Sequence, residues 1–155
     1  MLHISICDDE RIAVEKMQRI VENVLEQEHL PAKLETFENG EEFLKQYVIR
    51  DDELVILDLD MPVKNGIDVI QELEKIQRNE VVILVTAYDN LALKTFSYGP
   101  FQIVRKEQLE ENLPKAIGRF LNMRRRNQEK LEFQIKGELI HVKLEDIVYF
   151  EKYKH

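Results

Sequence analysis

Two hydrophobic periods alternate along this chain. Leu2 to Cys7 (LHISIC) is a short β-rich run, and Leu34 to Phe37 is a second. Leu54 to Leu57 (LVIL) and Val81 to Val85 (VVILV) are apolar at every position, and Phe101 to Arg105 is a fifth strand-like run. Between them the period changes to that of a helix. Val14, Met17, Val21, Val24 and Leu25 recur at helical spacing within Arg11 to Glu28. Glu41 to Tyr47 follows the punctuation of Asn39-Gly40. Ile67, Ile70, Leu73 and Ile76 share one face of a third helix, and Asn90 to Tyr98 predicts a fourth, stopped by Gly99-Pro100. A last helix carries Leu113, Ile117, Phe120 and Leu121 on one stripe. Pro114 belongs in its first turn, with Glu107 to Asn112 as a separate turn before it.

Strands apolar on both faces lie inside a sheet covered by helices. Five such units alternating with helices predict an α/β domain with a doubly wound, five-stranded parallel sheet. Functional groups of such sheets collect at the carboxyl ends of the strands. Asp8 and Asp9 stand at the end of the first strand, and Asp58 and Asp60 at the third. Thr86 follows the fourth and Lys106 the fifth.

After the last helix the pattern changes again. Gly118 to Lys130 holds Arg119, Arg124, Arg125, Arg126 and Lys130 against Glu129 alone, which suits a solvated helical extension or linker. Leu131 to Lys136 and Leu139 to Lys143 alternate as strands around a turn at Lys136-Gly137-Glu138. Ile147, Val148 and Phe150 predict one strand more. So short a β segment does not bury a core alone. The expected division is a domain over 1–119, a basic linker over 120–130, and over 131–155 the opening of a second domain.

Composition narrows the possibilities. The 155 residues suit one ordinary domain with an appendage, and 44% hydrophobic content excludes a wholly disordered chain. The formal charge of −8 argues against nucleic-acid binding by the bulk of the chain. One cysteine, Cys7, excludes an internal disulfide and a cysteine zinc site, and it suits packing at the end of a central strand. No apolar run reaches bilayer-spanning length, and Met1-Leu2-His3 does not begin a signal peptide, so a cytoplasmic protein is the expectation.

The acidic residues then acquire a chemistry. If the first and third strands are neighbours, Asp8, Asp9 and Asp58 converge, and like charges that close repel. A divalent cation relieves the repulsion, and magnesium suits carboxylates, water and a phosphoryl oxygen. The Thr86 hydroxyl and the Lys106 ammonium are suited to phosphoryl oxygens. A carboxylate nucleophile, a metal, a hydroxyl and a lysine are the parts of an aspartyl-phosphate site. Asp58 is the nucleophile in this account. Asp9 and Asp58 ligate Mg²⁺ directly, and Asp8 acts through a metal-bound water. Taken singly, each residue has a plainer reading: Asp8 or Asp9 as a helix cap, Asp58-Leu59-Asp60 as a polar loop, Thr86 as a turn residue, Lys106 as a solvated charge. Their joint occurrence at successive strand ends favours the site.

Asp8-Asp9, Asp58 with Pro62 and Gly66 after it, Thr86-Ala87 and Lys106 together resemble the receiver domain of bacterial two-component response regulators, over roughly residues 1–120. The resemblance implies a flavodoxin-like receiver fold and a phosphoryl group taken by Asp58 from a sensor histidine kinase. It also implies a magnesium ligand from the Asp60 backbone carbonyl and a switch reported by Thr86. Such a protein is a regulatory phosphoacceptor rather than an enzyme of steady turnover, and a homodimer is within its repertoire. Three departures stand out, the first being Asp60, which adds a carboxylate beside the site where side chains are expected to tune dephosphorylation. Glu107 replaces the usual proline after Lys106, and Ile103 occupies the place of the usual switching aromatic, leaving Tyr98 or Phe101 as substitutes. The tail, Phe133-Gln134-Ile135-Lys136-Gly137 and then Leu144-Glu145-Asp146-Ile147-Val148-Tyr149-Phe150-Glu151, looks like the start of a LytTR-type DNA-binding domain. That likeness implies a transcriptional regulator whose DNA contacts lie mostly beyond residue 155, so that this chain alone binds DNA poorly. Asp58-Leu59-Asp60 also resembles the Asp-x-Asp of haloacid dehalogenase phosphatases, which share the aspartyl phosphate and magnesium. In those enzymes the nucleophile strand comes first, whereas here Asp8-Asp9 precede Asp58.

Overall fold

The computed structural model describes residues 1–47, 53–76, 80–88, 93–128, 130–135 and 138–143. Two compact units divide between Gly118 and Arg119.

In the first unit the apolar runs become β1 (Leu2–Cys7), β2 (Ala32–Phe37), β3 (Glu53–Asp58), β4 (Val81–Thr86) and β5 (Gln102–Arg105). They form one parallel sheet in the order β2-β1-β3-β4-β5. The strand order reverses at β1, so the crevice at the topological switch point opens between β1 and β3. The two fully apolar runs lie centrally: Leu54, Val55, Ile56, Leu57, Ile83, Leu84 and Val85 have no measurable exposure. Side chains of successive residues alternate between faces, so both faces of these strands must be covered.

Helix α1 (Arg11–Gln27) buries Val14, Met17, Val21 and Leu25, a stripe at spacings of three and four. Helix α2 (Gly40–Gln46) starts at Asn39, whose side chain accepts the Glu42 N–H at 2.8 Å. Helix α3 (Gly66–Lys75) starts with a reciprocal capping box between Asn65 and Asp68 and buries Val69, Ile70 and Leu73. Ile76 falls past its end and is 45% exposed, so the sequence stripe ends one member early.

Two regions differ from the sequence expectation. Of Asn90 to Tyr98, residues 90–92 lie outside the described residues. Leu93 and Lys94 are helical as expected, Thr95 is a turn, and Phe96–Tyr98 narrows to a 3₁₀ turn closed by Gly99 in the left-handed region at φ 57°. The last helix, α4 (Leu109–Gln128), begins earlier than Pro114 suggests. The separate turn is only Lys106–Gln108, a 3₁₀ turn, and Pro114 lies inside the helix rather than in its first turn. Its ring removes the N–H that would bond the Glu110 carbonyl. The burial of Leu109, Leu113, Ala116 and Ile117 outweighs one lost backbone bond.

In the second unit, β6 (Lys130–Ile135) and β7 (Glu138–Lys143) pair antiparallel, with Lys130 opposite Lys143 and Ile135 opposite Glu138. The further strand expected at Ile147 to Phe150 lies outside the described residues.

Candidate phosphoacceptor site

Sheet register builds the site. Cys7 pairs with Leu57, so the residues that follow, Asp8 and Asp58, stand level on neighbouring strands. Asp58 pairs with Val85 and Thr86 with Arg105, so Thr86 and then Lys106 follow in steps along the same edge. One residue of slip in any pairing would turn a member of the set to the other face.

The chain after Asp58 folds back tightly. The Leu59 N–H donates to the Val85 carbonyl at 3.0 Å, and the Gly66 N–H donates to the Leu59 carbonyl at 3.2 Å. A Cβ at Gly66 would stand 2.3 Å from the Asp58 carbonyl oxygen and 2.9 Å from the Leu59 Cα. Glycine eight residues beyond Asp58 is therefore required by close backbone approach. Within this loop Val63 sits at φ 67° and is 92% exposed.

One oxygen from each of Asp8, Asp9 and Asp58 lies within 4.8 Å of the others. Asp8 and Asp58 are fully buried and Asp9 is exposed. The Lys106 ammonium lies 2.9 Å from Asp8 Oδ2, 3.3 Å from Asp58 Oδ2 and 2.9 Å from Glu10 Oε1. The Glu10 N–H donates to Asp8 Oδ1 at 2.8 Å. Beyond the Lys106 ammonium and the Asp60 backbone amide, the described residues offer Asp8 Oδ2 and the Asp58 carboxylate no hydrogen-bond partner. Buried carboxylate oxygens left this way are costly. A hard divalent cation is the partner that several convergent anionic oxygens accept, so the residues present fit one.

The charges feel this crowding. Burial, and next the negative charge of Asp8, push Asp58 up to about 6, against the pull of Lys106. Burial also raises Asp8, opposed by Lys106 and the Glu10 amide. Burial by itself would depress the Lys106 ammonium, but Asp8, Glu10 and Asp58 hold it above its ordinary value. Cys7 is pushed up to about 12, by burial first and then by Asp8 and Asp58. Its Sγ packs 3.6 Å from Met61 Sδ, and so unionised a thiol is packing material rather than a nucleophile.

Thr86 is buried, and its hydroxyl is engaged within its own turn. It accepts the Tyr88 N–H at 3.0 Å and donates to the Tyr88 carbonyl at 3.3 Å. Asp60 is exposed beyond the end of β3. Tyr98 packs against the core cluster, and its hydroxyl accepts from Gln71 of α3 at 2.8 Å. The half-buried Phe101 precedes β5 and donates its N–H to the Val82 carbonyl. Glu10 was missed by sequence reasoning. The available signal was its place beside Asp8-Asp9 at the start of a helix, where serine, threonine, aspartate or asparagine is preferred.

Five parallel strands with an acidic crevice at the switch point define a class. Residues 4–118 match the response regulator receiver domain, and the chain belongs to that family. Among proteins of known description it is similar to the sensory transduction protein LytT of Bacillus subtilis (strain 168). The two are 24% identical over 159 residues, covering 96% of this chain and 64% of that protein. The chain therefore spans less than two thirds of that relative's length. An uncharacterised response regulatory protein of Vibrio cholerae is 31% identical over 127 residues, covering 82% of this chain and 52% of that protein. Among solved structures, the RcsB response regulator of Salmonella typhimurium superposes with a TM-score of 0.68 at 20% identity, over 79% of this chain and 60% of that one. At that identity the likeness shows the fold, and it is the flavodoxin-like receiver fold. These matches give no support to the phosphatase resemblance.

Proposed function

We propose that this chain is the phosphoacceptor portion of a two-component response regulator, and that Asp58 is the residue phosphorylated. One observation carries the reading: three carboxylates, two of them fully buried, and a lysine from the ends of β1, β3 and β5 meet at the switch-point crevice. Asp9 and Asp58 would hold Mg²⁺ directly, with the Asp60 backbone carbonyl, and Asp8 through water. The ion would neutralise the carboxylates and draw charge from the phosphoryl oxygens.

The chain's own groups do the rest. An Asp58 oxygen forms the new O–P bond as the bond from phosphorus to the donor breaks, and the donor departs with the electron pair. Lys106 then pairs with phosphoryl charge that Asp58 has acquired. Thr86 donates to a phosphoryl oxygen by releasing the Tyr88 carbonyl, which couples the ester to the loop after β4. Tyr98 and Phe101 are the aromatic groups placed to follow that change in the absence of an aromatic at Ile103.

The physiological donor in this reading is a sensor histidine kinase, and the compartment is the cytoplasm. Residues 1–119 form the receiver, 120–130 a linker, and 131–155 the opening of a LytTR-type output domain that binds DNA when complete. The protein is regulatory and turns over phosphate only on itself.

Incubation of the full chain with Mg²⁺ and acetyl phosphate tests the reading. One phosphoryl group per chain is the expected product, with none on Asp58→Asn. Steady hydrolysis of many phosphomonoesters, or labelling that survives Asp58→Asn, would overturn it.

A further inference from the structure

We propose that Glu10 is a positioning residue for Lys106: it holds the ammonium out over the acidic crevice in the orientation phosphoryl transfer needs. The inference rests on the phosphoacceptor reading and adds a part to it. Lys106 follows the edge strand β5, whereas Asp8 follows β1, three strand spacings or about 14 Å across the sheet. A flexible four-carbon stem loses rotamer freedom when its ammonium is held in one place. Asp8 and Asp58 draw the ammonium inward from below. Glu10, 65% exposed, contacts it at 2.9 Å from the solvent side and from a segment 96 residues away.

Glu10 is itself well anchored. Its N–H is held by Asp8 Oδ1 at 2.8 Å, and its carbonyl accepts the Val14 N–H at 3.0 Å. It occupies the N-cap of α1, yet its side chain makes no capping bond. The helix start thus forgoes the cap that a shorter polar residue would supply. The side chain reaches across to Lys106 instead. With Glu10 present, the ammonium has one carboxylate on its outer side and two below. When Asp58 becomes esterified, Glu10 and Asp8 keep the lysine in place beside the new phosphoryl oxygens.

The test is a double-mutant cycle on the full chain, read as the rate of Mg²⁺-dependent phosphorylation by acetyl phosphate over a range of donor concentrations. Glu10→Gln should lower the rate at saturating donor by about five-fold, the scale of one partly exposed charge-assisted contact, with little change in the half-saturating concentration. In a Lys106→Gln background the same change should have no further effect, because Glu10 acts only through the lysine. Glu10→Asp, one methylene shorter, should recover part of the rate. An unchanged rate in Glu10→Gln, or an equal loss in both backgrounds, would overturn the proposal. Asp58→Asn run alongside separates the two claims: label lost there but insensitive to Glu10→Gln removes only the role of Glu10. Urea unfolding guards against misfolding, since an exposed glutamate should leave the midpoint nearly unmoved.

Discussion

Replacing Asp58 with asparagine should stabilise the metal-free protein. Asp58 is fully buried beside Asp8, and its carboxyl sits at about 6 against a reference of 3.8. That value already includes the attraction of Lys106. The folded state therefore binds this proton more tightly than the unfolded chain, and ionising Asp58 costs folding free energy wherever the pH lies above the reference value. At pH 7 the difference amounts to about 3 kcal/mol. Asparagine keeps the size and removes the charge, so Asp58→Asn should recover most of it. The gap should shrink to about half at pH 5, where the folded wild type is mostly protonated and the unfolded chain is not, and nearly close around pH 4. Urea unfolding in chelator, followed by circular dichroism at each pH, measures it. Mg²⁺ should narrow the gap at pH 7, because binding stabilises the wild type by mass action. A variant no more stable than wild type at pH 7 without metal, or a gap that widens on acidification, would refute the assignment of Asp58 as a strained buried anion.

Mg²⁺ affinity, measured by calorimetry, should fall as the pH drops through about 6, since protonation of Asp58 competes with the ion. Asp9→Asn removes one of three convergent carboxylates and should weaken Mg²⁺ binding at least ten-fold, a loss of about 1.4 kcal/mol, while barely altering metal-free stability because Asp9 is exposed. Gly66→Ala places a methyl group 2.3 Å from the Asp58 carbonyl oxygen, so thermal unfolding should show a loss of about 2–4 kcal/mol together with weakened Mg²⁺ binding. Asn65→Ala removes the capping box of α3 and should cost about 1 kcal/mol without changing the phosphorylation site.

Strand identity was legible because VVILV and LVIL are short, rich in β-branched residues and apolar without interruption, a pattern that suits a sheet covered on both faces. Asp8, Asp58, Thr86 and Lys106 were legible for a related reason: polar residues directly after such runs mark the strand ends. The long C-terminal helix was less legible. Pro114 is a local breaker signal, whereas the burial of Leu109 and Leu113 that overrides it is a tertiary effect. The expected helix over Asn90 to Tyr98 is helical at Leu93 and Lys94, among its described residues, but ends as a 3₁₀ turn at Phe96–Tyr98.

Sequence by itself determined which residues are β, which faces are apolar, and which carboxylates and cations stand at strand ends, because all of these depend on neighbours a few positions away. Tertiary structure alone decided the register that sets Asp8 level with Asp58, the burial that lifts Asp58 to about 6, and the contact between Glu10 and Lys106. Electrostatic energy depends on distance and on the surrounding dielectric. Neither exists until strands far apart in sequence lie side by side.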